Sequence, residues 1–262
     1  MLSADIVRAE SARYTTSLLC IPGLWSAPLV WRDFAGYLAH RGWESHLLDV
    51  RAVDGGIATR AAAVAAHAAA LSAPPVLIGH DVGGVVALAA AARAPAAAVV
   101  LLAPLVPGSS DARALAMRRA SFLPLLLGRP VAPPTDAAAA LLCGELAPSI
   151  RHAVVSSLAA DHARAVRDVV RPRIALWRVA GAPALVVAGD HDPLLSTGTA
   201  ARLARAVGAH LHVVVGGHWL LAGPAWQPCV GLVHRWLVQR LGEPLLERYA
   251  EATAERDEDA EP

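Results

Sequence analysis

Residues 79 to 83 read Gly-His-Asp-Val-Gly, and Gly-x-Asp-x-Gly is the spacing of a nucleophile elbow. In such an elbow a strand turns directly into a helix and lifts the middle side chain above the sheet. Small residues two positions either side let strand and helix approach closely enough to hold it there. The flanking sequence agrees, because Pro75-Val76-Leu77-Ile78 is an apolar strand and Val85-Val86-Ala87-Leu88 continues a helix of small and apolar residues with no loop between. The raised residue is Asp81. A serine there would need a base to remove its proton, whereas a carboxylate is already ionised near neutral pH and attacks saturated carbon directly. That attack leaves an ester between Asp81 and substrate, which water must cut, and a histidine is needed only for this second step. The same pentapeptide also suits an ordinary turn in which Asp81 caps the following helix.

The order of residues downstream favours the chemical reading. Asp192 lies three residues past Gly189, at the end of a later apolar run, and Pro193 would fix the turn that holds it. Asp190 is the second choice for the same role. His218 follows Gly216-Gly217 past the last apolar run. In this order of nucleophile, acid and histidine, His218 is the base for water and Asp192 holds its tautomer and stabilises the imidazolium. His80, beside the nucleophile, is read as a packing residue. His210 and His212 share one strand face, but no third ligand is spaced to join them, so neither a metal nor any other cofactor is expected.

Elements that could position these groups follow from the apolar periodicity. Residues 16 to 21 form a short strand ending in the loop 22 to 28, and Trp31, Phe34 and Leu38 mark a helix from about 29 to 41. A strand near 45 to 50, an Ala-rich helix to about 71, the elbow strand and helix, and a strand at 98 to 103 come next. Strand 183 to 189, helix 197 to 207, strand 210 to 215 and an amphipathic helix at about 225 to 241 complete the pattern. This alternation predicts an α/β fold, a mostly parallel sheet with helices on both faces and its ligand site along the carboxyl ends of the strands. Residues 1–103 and 181–242 form the core domain in this reading. Residues 104–180, broken by seven prolines from Pro107 to Pro172 and without strand signal, form a helical lid inserted between two strands. Its Phe122, Leu125, Leu126, Leu127, Leu141, Leu142 and Trp177 are expected to face the pocket and sheet edge. Residues 243–262 form a tail, acidic and expected to be disordered from Glu251 onward.

Composition narrows the partners. A chain of 262 residues with 55% hydrophobic content can bury one large core, and a net charge of +1 gives no electrostatic argument for nucleic acid or a membrane surface. Every one of the 23 basic residues is Arg, and Asn is absent. Cys20, Cys143 and Cys229 are isolated, odd in number and set in apolar stretches, which reads as buried thiols in a reducing compartment. The first ten residues lack a basic region followed by an apolar core, so the expected location is the cytoplasm. Oligomeric state is left open.

Taken together, residues 15 to 240 resemble the α/β-hydrolase superfamily. Gly79-His-Asp-Val-Gly-Gly84 resembles the elbow of its aspartate-nucleophile branch, which includes haloalkane dehalogenases, fluoroacetate dehalogenases and soluble epoxide hydrolases. Gly189-Asp-His-Asp192-Pro and Gly217-His218-Trp219 resemble its acid and histidine motifs. The resemblance implies an oxyanion hole built from the backbone N–H groups of Val82 and Leu24. It also implies a cofactor-free hydrolase acting with water on a small or medium apolar substrate carrying a carbon–halogen bond or an epoxide. Departures from the branch are informative: Pro22-Gly23 replaces the usual His-Gly, and Val82 replaces the Trp or Arg that follows the nucleophile in the dehalogenases. Tyr14, Tyr37 and Tyr249 all lie outside the lid, where epoxide hydrolases keep their acid tyrosines. Replacement donors for the leaving group are then the indoles of Trp25 and Trp177 and the lid histidines His152 and His162, with Trp25 foremost. An ester or lactone hydrolase, a lyase using Asp81 as acid/base, and a non-catalytic ligand-binding protein remain as alternatives.

Overall fold

Short runs of Leu, Ile and Val fix the sheet. The computed structural model describes residues 2–106, 122–133, 143–170 and 181–258. In it, strands β1 (Ala4–Val7), β2 (Leu18–Ile21), β3 (Ser45–Leu48), β4 (Val76–His80), β5 (Ala98–Leu102), β6 (Ala184–Gly189) and β7 (His210–Val214) form one sheet ordered β1-β3-β2-β4-β5-β6-β7. Strand β1 runs antiparallel to β3, and every other neighbouring pair is parallel. Every residue of β2, β3, β4, β5 and β6 is buried, as strands covered on both faces must be. This is the α/β-hydrolase fold.

The crossover helices are α1 (Arg32–His40), α2 (Ile57–Ala69), α3 (Val82–Ala91) and α7 (Thr197–Val207), and α8 (Trp226–Glu258) follows the last strand. Helix α3 is buried from Val82 to Ala90 and is apolar all round, the composition of a helix enclosed on every side. Its Gly and Ala residues keep it close against the sheet, which brings its first turn directly under the end of β2.

Between β5 and β6 lie α4 (Phe122–Leu126), α5 (Pro148–Ser157) and α6 (Ala163–Val170). One antiparallel bridge, Val131 with Asp161, joins two parts of this insert where the sequence carries no strand signal. Leu126 and Leu127, expected to face inward, are exposed, and only Leu125 of that run packs on the core. A helix of five residues has a single face to bury. Leu141, Leu142 and Trp177 lie outside the described residues.

Two further expectations are corrected. Strand β1 escapes the sequence reading because it is four residues long, half-exposed and paired along one edge only. Helix α8 does not stop near residue 241 but runs on to Glu258, through the stretch expected to be disordered. Glu and Ala dominate residues 251–258, and their helix propensity prevails over the low hydrophobicity. Among the described residues no helix is long and apolar enough to cross a membrane.

Candidate active site

Asp81 has φ 55° and ψ −126°, a backbone region that costs a non-glycine residue about 1–3 kcal/mol. Three backbone bonds hold it there. Its N–H donates to Leu102 O at 3.1 Å, and its carbonyl accepts from Gly84 N–H at 3.1 Å and Leu105 N–H at 3.2 Å. The glycines are required by close approach: a Cβ on Gly79 would lie 2.1 Å from Gly83 O, and one on Gly83 would lie 2.2 Å from Ile21 O.

Although Asp81 occupies the position before α3, its side chain makes no capping bond to that helix. It turns toward the loop after β2, where Leu24 N–H donates to Asp81 Oδ2 at 2.8 Å. The adjacent Val82 N–H helps to hold the carboxyl pKa down. Gly23 makes room for this arrangement, since a Cβ there would sit 2.6 Å from Oδ2. Asp81 Oδ1 has no hydrogen-bond partner.

The acid and histidine turns are pressed together past the ends of β6 and β7. A Cβ on Gly189 would meet Gly216 O at 2.1 Å. Asp192 accepts Leu194 N–H at 2.7 Å and Leu195 N–H at 3.0 Å on Oδ1, and His218 Nδ1 lies 2.9 Å from its Oδ2. Asp190 instead accepts Gly216 N–H at 2.9 Å and pairs with His191, so it braces the histidine turn without touching His218. His218 Nε2 stands 3.5 Å from Asp81 Oδ1, too far for a well-formed hydrogen bond, and has no other partner. Asp81, His218 and Asp192 are therefore in line, with two unpartnered atoms facing each other at the centre.

Charge follows from this geometry. Burial pushes the His218 imidazole down, but the Asp192 carboxylate against Nδ1 and Asp81 beyond Nε2 outweigh it and lift its pKa to about 10. Burial pushes the Asp81 carboxyl up, and the His218 contact, His80 and the Val82 N–H together hold it below the usual carboxylate range. Esterification of Asp81 would remove one of the two charges that keep the proton on His218, and so would free the imidazole to act as a base.

His80 is fully enclosed, with Nε2 3.0 Å from His218 O, and so supports the histidine turn from below. Burial, reinforced by the nearby His218 charge, drives its pKa from 6.5 down to about 4. The unfolded chain thus binds this proton more readily than the folded one. The resulting stability is fully present above pH 6.5 and is lost as the pH falls toward 4, on the order of 3 kcal/mol. A His80→Gln variant keeps a donor for His218 O but does not titrate. Its melting temperature should fall less than that of the wild type between pH 6.5 and 4. Parallel pH curves for the two proteins would show that His80 carries none of the acid sensitivity.

The other candidates fare differently. Leu24 donates its N–H to Asp81, and the Val82 N–H beside it helps to lower the carboxyl pKa. Trp25 is not free to serve a leaving group: its indole N–H donates to Val131 O at 2.9 Å in a fully buried position. A positive φ of 64° turns it away from the Asp81 carboxylate and under the insert. His152 is exposed, and His162 pairs with Asp54. Trp177 lies outside the described residues. His210 meets Arg240.

Sequence reasoning missed the buried ion pair of Arg60 with Asp161, both 1% exposed. A signal was present, because Arg60 sits in the buried stripe of Ile57, Ala61, Val64 and Ala68 on α2. A cavity of about 250 Å³, lined by Cys143, Leu146, Gly217, His218, Trp219 and Pro224 among others, adjoins the histidine but not Asp81.

The sheet, elbow and histidine turn define a class. The model of the alpha/beta hydrolase family matches residues 18–228, and the chain belongs to that family. Similar solved structures include a thermophilic esterase from Thermogutta terrifontis, with 18% identity, TM-score 0.70 and coverage of 91% of this chain and 93% of that one. A monoacylglycerol lipase from Paleococcus ferrophilus has 18% identity and TM-score 0.71 over 92% and 99% of the two chains. MenH from S. aureus has 14% identity and TM-score 0.68 over 92% and 100%. No curated protein matches the sequence. The chain is a hydrolase of the α/β fold.

Proposed function

We propose that this chain hydrolyses its substrate through a covalent ester on Asp81. The observation that carries the reading is the division of labour between the two carboxylate oxygens. Oδ2 sits against the Leu24 N–H, while Oδ1 is unpartnered and faces His218. Oδ1 attacks a saturated carbon and the leaving group departs with the bonding electrons. Water, deprotonated by His218 and oriented with it by Asp192, then adds to the ester carbonyl. The negative charge that develops on Oδ2 falls on the Leu24 and Val82 N–H groups. Collapse releases the alcohol and restores the carboxylate.

The preferred substrate is small or medium and apolar, with a carbon–halogen bond ahead of an epoxide. A halide leaves without needing a proton, whereas a ring-opened alkoxide needs an acid. Tyr14 and Tyr37 do not supply one, since Tyr14 stacks on Trp43 and Tyr37 packs on Trp226. The insert between β5 and β6 acts as the lid in this reading. A second reading, ester hydrolysis with Asp81 attacking an acyl carbon, is favoured by the names of the similar esterase and lipase structures.

Trapping tests the proposal. A His218→Gln variant incubated with haloalkanes, epoxides or p-nitrophenyl esters should accumulate an adduct, seen as a mass increase on the peptide containing Asp81, while steady turnover falls about a thousandfold. The added mass identifies the substrate carbon skeleton and separates alkyl from acyl attack. Turnover by the wild type with an unlabelled Asp81 peptide in the variant would refute the covalent step.

A further inference from the structure

Trp25 is tied mainly to the insert. Its N–H donates to Asp161 Oδ2 at 3.0 Å, its carbonyl accepts from Ala159 N–H at 3.0 Å, and its indole donates to Val131 O at 2.9 Å. Arg51 adds a longer bond to the same carbonyl, at 3.4 Å. Val131 and Asp161 are themselves bridged, by N–H to carbonyl bonds of 2.8 and 3.0 Å in the two directions. Asp161 is in turn anchored by both terminal nitrogens of Arg60 and by the His162 N–H at 2.7 Å. Trp25, Val131, Asp161 and Arg60 are all buried, and together they hold a tryptophan at positive φ, a conformation it would leave if released. The residue immediately before it is Leu24, whose N–H holds Asp81 Oδ2.

We propose that Asp161 is a positioning residue: through Trp25 it sets the aim of the Leu24 N–H, so that docking of the insert completes the oxyanion hole. This rests on the covalent reading above for its catalytic consequence. The coupling is strongest for ester hydrolysis, the step in which charge builds on Oδ2. The first attack draws charge away from the carboxylate and depends on the Leu24 N–H far less. Loosening the tether therefore slows breakdown of the intermediate more than its formation.

The test compares three variants of the full chain. Asp161→Asn weakens the acceptor for Trp25 N–H and breaks the pairing with Arg60. Trp25→Phe removes only the indole donor and leaves the buried charges in place, so it serves if Asp161→Asn fails to fold. Asp168→Asn is the control. Asp168 also joins insert to core, through Ile57 N–H at 2.9 Å, but at the start of α2 and away from Leu24.

Asp161→Asn and Trp25→Phe should show faster amide exchange at Leu24 and Trp25 by mass spectrometry, with exchange in β4 and β5 unchanged. The kcat should fall about 10- to 100-fold and KM should fall with it, leaving kcat/KM within about threefold, and modified Asp81 should build up in the steady state. Asp168→Asn should match the wild type in each readout. Unchanged exchange at Leu24 in both variants would overturn the proposal, as would an equal loss of kcat in the control. Failure of the covalent reading is distinguishable, since it would appear as unmodified Asp81 in His218→Gln while the exchange measurements still decide the tether.

Discussion

Asp81→Asn should consume substrate at least about ten-thousandfold more slowly than the wild type while folding normally. Asn is nearly isosteric, tolerates positive φ, and can present its amide oxygen to the Leu24 N–H that now binds Oδ2 at 2.8 Å. What it lacks is the free anionic oxygen facing His218 Nε2. Losing that charge also removes one of the two carboxylates that raise the His218 pKa to about 10, so the imidazole should titrate nearer neutrality in the variant. Initial rates on a haloalkane and epoxide panel, with an NMR titration of His218, check both expectations. Turnover within about tenfold of wild type would remove Asp81 from the covalent role. An Asp81→Ser variant should lose the same activity yet gain measurable p-nitrophenyl ester hydrolysis, since the Asp192–His218 pair would then have a hydroxyl to deprotonate.

The largest effect on stability is expected at Gly79, outside the chemistry itself. An Ala there would place its Cβ 2.1 Å from Gly83 O, a backbone atom that can move only if α3 lifts off β4. Separating a helix that is buried along nearly its whole length exposes apolar surface on both sides. We expect a loss of about 3–5 kcal/mol for Gly79→Ala, or a drop in melting temperature of about 10 °C or more. Gly36→Ala provides the contrast. Nothing lies within 4 Å of its added Cβ, and it sits inside α1. It should be neutral or stabilising by up to about 1 kcal/mol. Urea midpoints for the two variants decide the matter, and equal midpoints would mean that the elbow's close packing is not what holds it.

Much of the site was legible because an elbow is a local device. The two glycines, the apolar strand before them and the small-residue helix after them occupy consecutive positions, so their spacing already encodes the turn that raises Asp81. The choice of Asp192 over Asp190 was also readable, from the Pro193 that follows it. Trp25 was misread for a physical reason. Its place next to Leu24 says nothing of its φ, and the positive value sends the indole to Val131, more than a hundred residues away. The Arg60–Asp161 pair was missed likewise: a charged residue in a buried stripe signals a partner but does not identify it.

The chain's own order of residues determined the class of fold and the succession Asp81, Asp192, His218, because each depends on periodicity or on spacing within a single turn. Tertiary structure alone decided which oxygen of Asp81 is bound and which is free. It also decided that the loop carrying Leu24 is fastened to the insert through Trp25 and Asp161. Hydrogen bonds between segments far apart in sequence depend on how the helices and sheet pack, and that packing is a property of the whole chain at once.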